Sequence, residues 1–286
     1  MPETAFRLFE PARLTSAVVF ASPHSGRAYP AAMLQASVLD RHAIRSSEDA
    51  FVDDLFGAAP QFGAPMLAAQ APRAYVDLNR AADELDPALI EDVKRGAHNP
   101  RVASGLGVVP RVVSNGRAIY RGKLSRAEAA ARLDRVWHPY HTRLQMLLDA
   151  AHRSFGESIL IDCHSMPHEA VAGGQRGGKR AEIVIGDRFG ASAAPEIVER
   201  VEAAFRHAGF AVARNAPFAG AFTTQHYGRP SRGQHAVQVE IDRALYMDEA
   251  AIAPSPAFHA VKERLTAVVA EIAEFGGRNG VPLAAE

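Results

Sequence analysis

Short apolar runs alternate with longer amphipathic stretches along the chain, and each pattern predicts one kind of element. Three apolar runs end at polar residues, and they lie at 17–22 (AVVFAS), 158–161 (SILI) and 235–239 (HAVQV). Such runs are typical of buried strands in a largely parallel sheet. Further strands are predicted at 65–70, 73–78 and 182–187.

Apolar residues at helical spacing predict the intervening helices. The clearest helix begins at Ser125, where Glu128 completes a capping box, and Pro139 is a candidate kink within it. The stretch 81–116 is polar and broken by Gly and Pro, which predicts surface loop with short helices. The other predicted helices span 30–45, 49–59, 191–208 and 256–275.

The alternation of strands and helices favours one α/β domain over 1–286, with a core at about 17–276. Four glycines within 173–180 argue against regular structure there, and either a surface hairpin or a lid over a site fits this composition.

Composition narrows the class of protein. Lys+Arg and Asp+Glu both number 32, so the charge balance suggests neither a nucleic-acid partner nor an anionic membrane. The single cysteine, Cys163, excludes an internal disulfide and a cysteine-based zinc knuckle. Residues 1–16 lack the apolar core of a signal peptide, and no apolar run is long enough to span a bilayer. We therefore expect a cytoplasmic enzyme, and its oligomeric state is not set by these features.

Histidines follow two of the predicted strands, and this placement suggests a metal site. His24 and His164 each end a buried strand and precede a serine, and Glu240 ends a third strand. Ligands gather at the carboxyl ends of parallel strands. One such histidine is more often structural, but two with nearby carboxylates match an open zinc site, which takes three protein ligands and keeps one position for water.

The carboxylates differ in what else they could do. Acids at 48–54 enter a predicted helix, where they also favour the positive end of the helix dipole. Glu240 has no helix terminus to serve, but a salt bridge to Arg243 is an equally good explanation of this residue alone. Asp162 shares a strand face with His164 and could orient its ring, or could cap a turn.

Two groups of basic residues suggest an anionic substrate. Arg80 follows Asn79 at the end of YVDLNR, and its planar guanidinium suits a carboxylate. His226, Tyr227 and Arg229 occupy a Gly/Pro-rich segment before the Glu240 strand. Surface ion pairing is the commoner fate of either arginine. The sequence holds no G-x-S-x-G, H-E-x-x-H or P-loop motif, and HPYH at 138–141 is interpreted as packing or as support for a site.

Together these motifs resemble the N-formylglutamate amidohydrolase family. SPHSG, SEDAFVDDLF, YVDLNR, PYH, IDCHS, TQHYGRP and VQVEI occur in the family's order, and the resemblance covers about 17–249. It implies a three-layer α/β/α sandwich with a mostly parallel mixed sheet, related to zinc carboxypeptidases and aspartoacylases, and one zinc ion per chain.

The resemblance also implies roles for individual residues. The relatives' His-x-x-Glu is broken at Arg27, so the carboxylate ligand must come from the acidic segment: Asp49 first, Glu48 second and Asp53 third. There the family's Asp-Thr-Asp is replaced by Ser47, Glu48 and Asp49. The implied set is His24, Asp49 and His164 on the metal, Glu240 as general base, Asn79, Arg80, His226, Tyr227 and Arg229 on the substrate, and Ser25, Asp162 and Glu48 around the ligands.

The expected reaction is hydrolysis of N-formyl-L-glutamate, or of another small N-acyl acidic amino acid, to the free acid and the amino acid. Zinc would activate a water, Glu240 would move its proton to the leaving amine, and Arg229 or His226 is a further candidate for stabilising the oxyanion. The alternatives are a zinc carboxypeptidase, a deacylase of other specificity, or a non-catalytic binding homologue.

Overall fold

The computed structural model describes residues 4–94, 99–172 and 180–278. Seven strands form one sheet in the order β1-β3-β2-β4-β7-β5-β6. Strand β2 is parallel to β4, β4 to β7 and β5 to β6, whereas β5 is antiparallel to β7. The fold is therefore α/β with a mixed, mostly parallel sheet, which confirms the predicted class. The strands are β1 (Phe6–Phe9), β2 (Val18–Ser22), β3 (Met66–Ala69), β4 (Ser158–Met166), β5 (Ile183–Gly186), β6 (Val212–Arg214) and β7 (Gln234–Asp242), with β8 (Met247–Asp248) and β9 (Ala253–Pro254) forming a separate pair.

One predicted strand is wrong. Residues 73–78 form turns, in which Tyr75 N donates to Pro72 O (2.9 Å) and Asp77 N donates to Val108 O (2.8 Å). Pro72 is the first residue of this turn, and Val76 N donates to the same Pro72 O (3.3 Å). The short outer strands β1 and β6 were not predicted, since three or four partly exposed residues leave little hydrophobic pattern.

The helices follow the predicted pattern where they are long and depart from it where they are short. Predicted helix 30–45 is divided into α1 and a 3-10 turn at Ala43–Ser47, and predicted helix 49–59 is reduced to α2. Ser125 Oγ accepts from Glu128 N (3.1 Å), which confirms that cap. The segment before β7 contains helix α8, which was expected to be loop. The helices are α1 (Ala31–Ala36), α2 (Val52–Leu55), α3 (Pro100–Ala103), α4 (Arg126–Arg132), α5 (His138–Phe155), α6 (Glu169–Ala172), α7 (Pro195–His207), α8 (Phe222–Tyr227) and α9 (Phe258–Arg278), with a π-helical turn at Leu133–Trp137 before α5.

The chain packs as two compact units. The first comprises residues 1–7, 23–50 and 68–143, and the second comprises 8–22, 51–67 and 144–286. The single domain predicted over 1–286 stays a prediction. The loop discussed at 173–180 lies outside the described residues, apart from Arg180.

The first unit is built around a buried arginine. The Arg132 guanidinium lies 4.4 Å from the centre of the Tyr75 ring, donates to Tyr120 Oη (2.8 Å) and pairs with Glu128. Because Arg132 is the last residue of α4, its contact with Tyr75 joins that helix to the turn that begins at Pro72. A further anchor is Trp137, whose ring lies 4.1 Å from that of His141.

The second unit contains the buried strands β2, β4 and β7 with helices α7, α8 and α9. Helix α9 packs against β2, α2 and α7, and α8 packs against β7 and β4. The apolar stripe predicted for α9 is buried as expected, at Val261, Leu265, Val268, Val269 and Ile272. Within the described residues, no helix has the length and apolarity that crossing a bilayer requires.

Candidate metal centre and active site

The carboxyl ends of β4 and β7 present a row of buried polar side chains. In the parallel register, Asp162 lies opposite Gln238 and His164 lies opposite Glu240. Because side chains alternate along a strand, these residues share one face, and Asp242 follows on the same face. The neighbouring positions on the other face are apolar in β7. A polar row that is buried needs compensating partners, so this face is the candidate site.

His164 is oriented by Asp162 on the same strand. Its Nε2 lies 3.0 Å from Asp162 Oδ2, and Asp162 is fully buried. Within the described part of the chain, neither oxygen of Asp162 has a hydrogen bond of good geometry, so the contact is a close approach of the carboxylate to the ring. A carboxylate behind an imidazole fixes the ring and raises its basicity as a ligand.

Glu240 is held beside His164 by an amide. Gln238 Nε2 donates to Glu240 Oε1 (2.9 Å), and Glu240 is only 8% exposed. Arg243, the salt-bridge alternative, donates through Nε to Ser165 Oγ (3.1 Å). The Gln238 contact was not predicted, although the alternating sequence Gln-Val-Glu at the end of a strand was its available signal.

His24 lies in the loop that follows β2, and a glycine fixes that loop. A Cβ at Gly26 would lie 2.1 Å from Ala71 O, so only glycine permits this close approach. His24 O accepts from Asp49 N (3.0 Å), and His24 Nδ1 lies 3.4 Å from Asp49 Oδ2. Two ligands about 2.0–2.2 Å from a tetrahedral zinc lie roughly 3.4 Å apart, so this pair has the spacing of two ligand atoms.

The opposite nitrogen of His24 contacts a carboxylate that was assigned no such role from the sequence. His24 Nε2 lies 2.7 Å from Asp77 Oδ1, and Asp77 also accepts from Arg73 Nε (3.0 Å) and Asn79 N (2.9 Å). Burial by itself raises the pKa of Asp77, but the charge of Arg73, the contact with His24 and the charge of Arg80 hold the pKa of this carboxyl well below its usual value. An ionised Asp77 assigns the His24 proton to Nε2 and leaves Nδ1 as the ligand atom.

The acidic segment separates into different environments. Glu48 accepts from Tyr29 Oη (2.7 Å) and from Arg45 Nη2 (3.0 Å), so its oxygens are already engaged. Asp53 lies in the first turn of α2 and is half-buried. Asp49 is 1% exposed and faces His24, so it is the acid that the fold presents as a ligand.

Three buried residues could hold a metal ion. His24, Asp49 and His164 each offer one ligand atom, and these atoms lie within 4.8 Å of one another. Two imidazoles and a carboxylate are the donor set that a catalytic zinc takes, with the fourth position kept for water. The residues present therefore fit a zinc ion. Ser25, predicted to support the ligands, is buried beside His24 in the chain.

The predicted carboxylate-binding arginine is pre-oriented by backbone carbonyls. Arg80 Nε donates to Leu106 O (2.9 Å), and Nη1 donates to Asn79 O (2.7 Å). Arg80 is 6% exposed, and burial lowers its pKa even though Asp77 opposes the change. These bonds leave Nη2 and one N–H of Nη1 for a ligand. Asn79 is buried next to it.

The three residues before β7 that were predicted to bind the substrate lie in different surroundings. Arg229 pairs with Gln234 at the start of β7, six residues before Glu240, which is about 20 Å along a strand. His226 is exposed and stacks on Phe222 at 5.0 Å. Tyr227 is buried. Its burial is the main cause that raises its pKa far above the usual value, and the negative charge of Asp162 raises it further. Of these three, Tyr227 is the residue whose surroundings include the candidate site.

Comparisons with known proteins identify the family of the chain. The family model described as N-formylglutamate amidohydrolase matches residues 16–247. The chain is 32% identical over 243 residues to an N-formylglutamate deformylase of Pseudomonas aeruginosa, covering 82% of this chain and 83% of that protein. It is 29% identical over 239 residues to the enzyme of the same name from Pseudomonas putida, covering 81% and 82%.

A solved structure extends the likeness to the fold. The crystal structure of N-formylglutamate amidohydrolase from Ralstonia eutropha JMP134 superposes with a TM-score of 0.90 at 35% identity. The match covers 96% of this chain and 99% of that one. The fold, the motifs and the matched length agree, and the chain belongs to the N-formylglutamate amidohydrolase family.

Proposed function

We propose that this protein is a zinc-dependent amidohydrolase that cleaves N-formyl-L-glutamate to formate and L-glutamate. The observation that carries the proposal is the buried cluster of His24, Asp49 and His164, with Glu240 in register beside His164. Relatives named N-formylglutamate deformylase, at 29% and 32% identity, support the choice of substrate.

The ligand residues are assigned by their contacts. His24 binds through Nδ1 because Asp77 occupies Nε2, and His164 is oriented by Asp162. Asp49 supplies the carboxylate, because Arg45 and Tyr29 occupy Glu48. When bound, a zinc ion lowers the pKa of a water ligand to about 7 and polarises the substrate carbonyl.

Glu240 acts as general base and then as general acid. Its carboxylate takes a proton from the attacking water and delivers it to the nitrogen of the breaking amide bond. Gln238 Nε2 holds one oxygen, Oε1, so the carboxylate plane is fixed while Oε2 serves as the proton-carrying atom. Burial at 8% exposure keeps bulk water away from this transfer.

Arg80 and Asn79 bind a substrate carboxylate. The two carbonyl contacts of Arg80 lock the guanidinium plane, so little freedom is lost when a ligand binds. Tyr227 is the candidate donor to the substrate's carbonyl oxygen, because it is buried and Asp162 is among its charged neighbours. Arg229 is not assigned this role, given its place at the start of β7.

The Glu240→Gln variant tests the mechanism. Gln keeps the size of the side chain but cannot accept a proton, so kcat should fall by about 10²–10⁴-fold. Zinc content, measured by elemental analysis, should remain near one ion per chain. Glu202→Gln is a matched control, since Glu202 is also a buried carboxylate but pairs with Arg206 and Arg214.

Two outcomes contradict the proposal. Retained activity in Glu240→Gln places the base elsewhere, and loss of metal makes Glu240 a ligand. A panel of N-formyl, N-acetyl and peptide substrates separates the leading reaction from a deacylase of other specificity or a carboxypeptidase. A protein that holds zinc and turns over none of them is a binding homologue.

A further inference from the structure

N-Formylglutamate carries two carboxylates, and the residues assigned so far provide for one of them. This inference rests on the proposed function, because it concerns the second carboxylate of the same substrate. The sequence suggested Arg229 as a second cation. Its backbone pairs with Gln234, about 20 Å along β7 from Glu240, which is further than an arginine side chain can reach.

A different arginine lies at the correct end of these strands. Arg180 Nη1 lies 2.6 Å from His168 Nε2, and His168 Nδ1 lies 2.8 Å from Asp242 Oδ2. His168 follows β4 by two residues, and Asp242 is the last residue of β7. Asp242 shares a strand face with Glu240 and lies two residues beyond it, about 6.6 Å along the strand.

The available hydrogen-bond donors determine which nitrogen of His168 carries the proton in the Arg180–His168–Asp242 contacts. A guanidinium has only donors, so His168 Nε2 must accept from Arg180 and His168 Nδ1–H must donate to Asp242. Two further hydrogen bonds hold Asp242 and His168. Asp242 Oδ1 accepts from Ala244 N (3.0 Å), and Glu249 Oε1 accepts from His168 N (2.9 Å). The Asp242 and His168 side chains are therefore set in place as a support for the guanidinium.

The contacts of Arg180 differ from those of the arginines that form ion pairs. Arg45, Arg73, Arg111 and Arg214 each pair with a carboxylate. Within the described ranges, the contacts of Arg180 are His168 Nε2 and Ala172 O, and neither is a carboxylate. Arg180 is exposed, so a dissolved anion can reach its side chain.

We propose that Arg180 is a specificity-determining residue that binds the second carboxylate of the substrate, with His168 and Asp242 as its positioning residues. Through His168, the Arg180 guanidinium is held at Asp242, two residues beyond Glu240 on the same strand face, so the proposed anion site and the proposed base lie at the same end of β7. An arginine rather than a lysine suits a planar carboxylate, because it offers paired donors in a fixed plane.

Arg180→Met tests the role, because Met keeps an unbranched side chain and removes the charge. KM for N-formylglutamate should rise by about 10- to 100-fold, the loss expected for one charged hydrogen-bonded contact, while kcat and zinc content stay near those of the wild type. Arg229→Met is the matched control and should leave KM unchanged. Both variants retain the full chain and the bound metal.

The two mono-amides of the substrate identify the carboxylate that is bound. N-formylglutamine lacks the side-chain carboxylate, and N-formylisoglutamine lacks the other. The effect of Arg180→Met should disappear with one of these substrates, and the effect of Arg80→Lys should disappear with the other one. A loss that is equal for all three substrates, or both arginines responding to the same mono-amide, overturns the assignment.

Two substitutions of His168 test its role as a positioning residue. His168→Phe should raise KM less than Arg180→Met does, with the same dependence on the mono-amides. His168→Gln should restore part of that loss, because its amide oxygen can accept from Arg180. An unchanged KM in Arg180→Met, with an active wild type, overturns this inference alone. A wild type that turns over no N-acyl glutamate overturns the proposed function with it.

Discussion

At the scale of single residues, Asp77 connects His24 to the turn that carries Asn79 and Arg80. One carboxylate oxygen accepts from both His24 Nε2 and Asn79 N, and the other accepts from Arg73. The same side chain therefore sets the His24 tautomer and the course of the chain into Arg80. Such outer carboxylates typically change metal affinity by about 10- to 100-fold when they are replaced.

Asp77→Asn should reduce zinc affinity by about that factor, because the neutral amide neither stabilises the Nε2–H tautomer nor opposes the charge of Arg73. Competition with a chromophoric chelator measures the affinity without reference to activity. Asp86→Asn is the matched control, since Asp86 is 2% exposed and accepts from Arg111 Nε (2.9 Å) and Ala88 N (2.8 Å). Equal zinc affinity in Asp77→Asn and the wild type would show that Asp77 has only a structural role.

At the scale of elements, the π-helical turn before α5 supports the turn that carries Asn79 and Arg80. His138 N donates to Leu133 O, a wide turn that accommodates Pro139, whose ring and missing N–H disfavour a regular helix. Trp137 Nε1 then donates to Arg80 O (2.9 Å), and His141 Nε2 lies 3.0 Å from Leu78 O. The kink predicted at Pro139 is thus a π-helical turn, which the contacts of Trp137 and His141 join to residues 78–80. HPYH at 138–141 therefore helps to support the segment that carries Arg80.

Trp137→Phe removes the bond to Arg80 O and keeps an aromatic ring. A typical hydrogen bond contributes about 0.5–1.5 kcal/mol, so we expect KM for N-formylglutamate to rise by about 2- to 12-fold with little change in kcat. Tyr120→Phe is the control, because it removes one buried bond, to Arg132 (2.8 Å), away from Arg80. Equal KM values in the two variants would mean that the anchor is structural only.

At the scale of the whole molecule, one buried histidine makes stability depend on pH. Burial lowers the pKa of His235, and the nearby Glu157 and Glu196 only partly oppose this change. His235 Nδ1 accepts from Ala194 N (3.2 Å), a bond that needs the neutral ring. A histidine whose folded pKa is depressed binds its proton more readily in the unfolded chain. Stability is therefore complete above the unfolded pKa of about 6.5 and falls as the pH drops below it.

His235→Gln should lose less stability than the wild type between pH 7.5 and pH 5.5, because glutamine does not titrate and its oxygen can accept from Ala194 N. Urea unfolding at the two pH values measures this difference. Exposed His207, which contacts Glu271 at 3.0 Å, provides His207→Gln as the control, for which the pH dependence should remain that of the wild type. A His235→Gln protein with an unchanged pH dependence would refute the assignment.

The sequence by itself determined the elements whose pattern is local and long. The apolar runs of β2, β4 and β7 and the helical spacing of α7 and α9 were recognisable because a buried face repeats every two or every 3.6 residues. The apolar runs also placed His164 and Glu240 at the ends of two strands, and the structure shows that these strands pair, with His164 opposite Glu240. Their catalytic roles stay proposals.

Tertiary structure decided what depends on residues distant in the chain. Residues 73–78, predicted as a strand, form turns in which Asp77 reaches His24. Glu48 bonds to Tyr29, and Asp49 faces the histidine. Tertiary structure also placed Arg229 at the start of β7 and brought Arg180 to His168 at the other end of the sheet. The physical reason is that periodicity records which face of an element is buried, whereas charges find their partners only after distant segments have packed together.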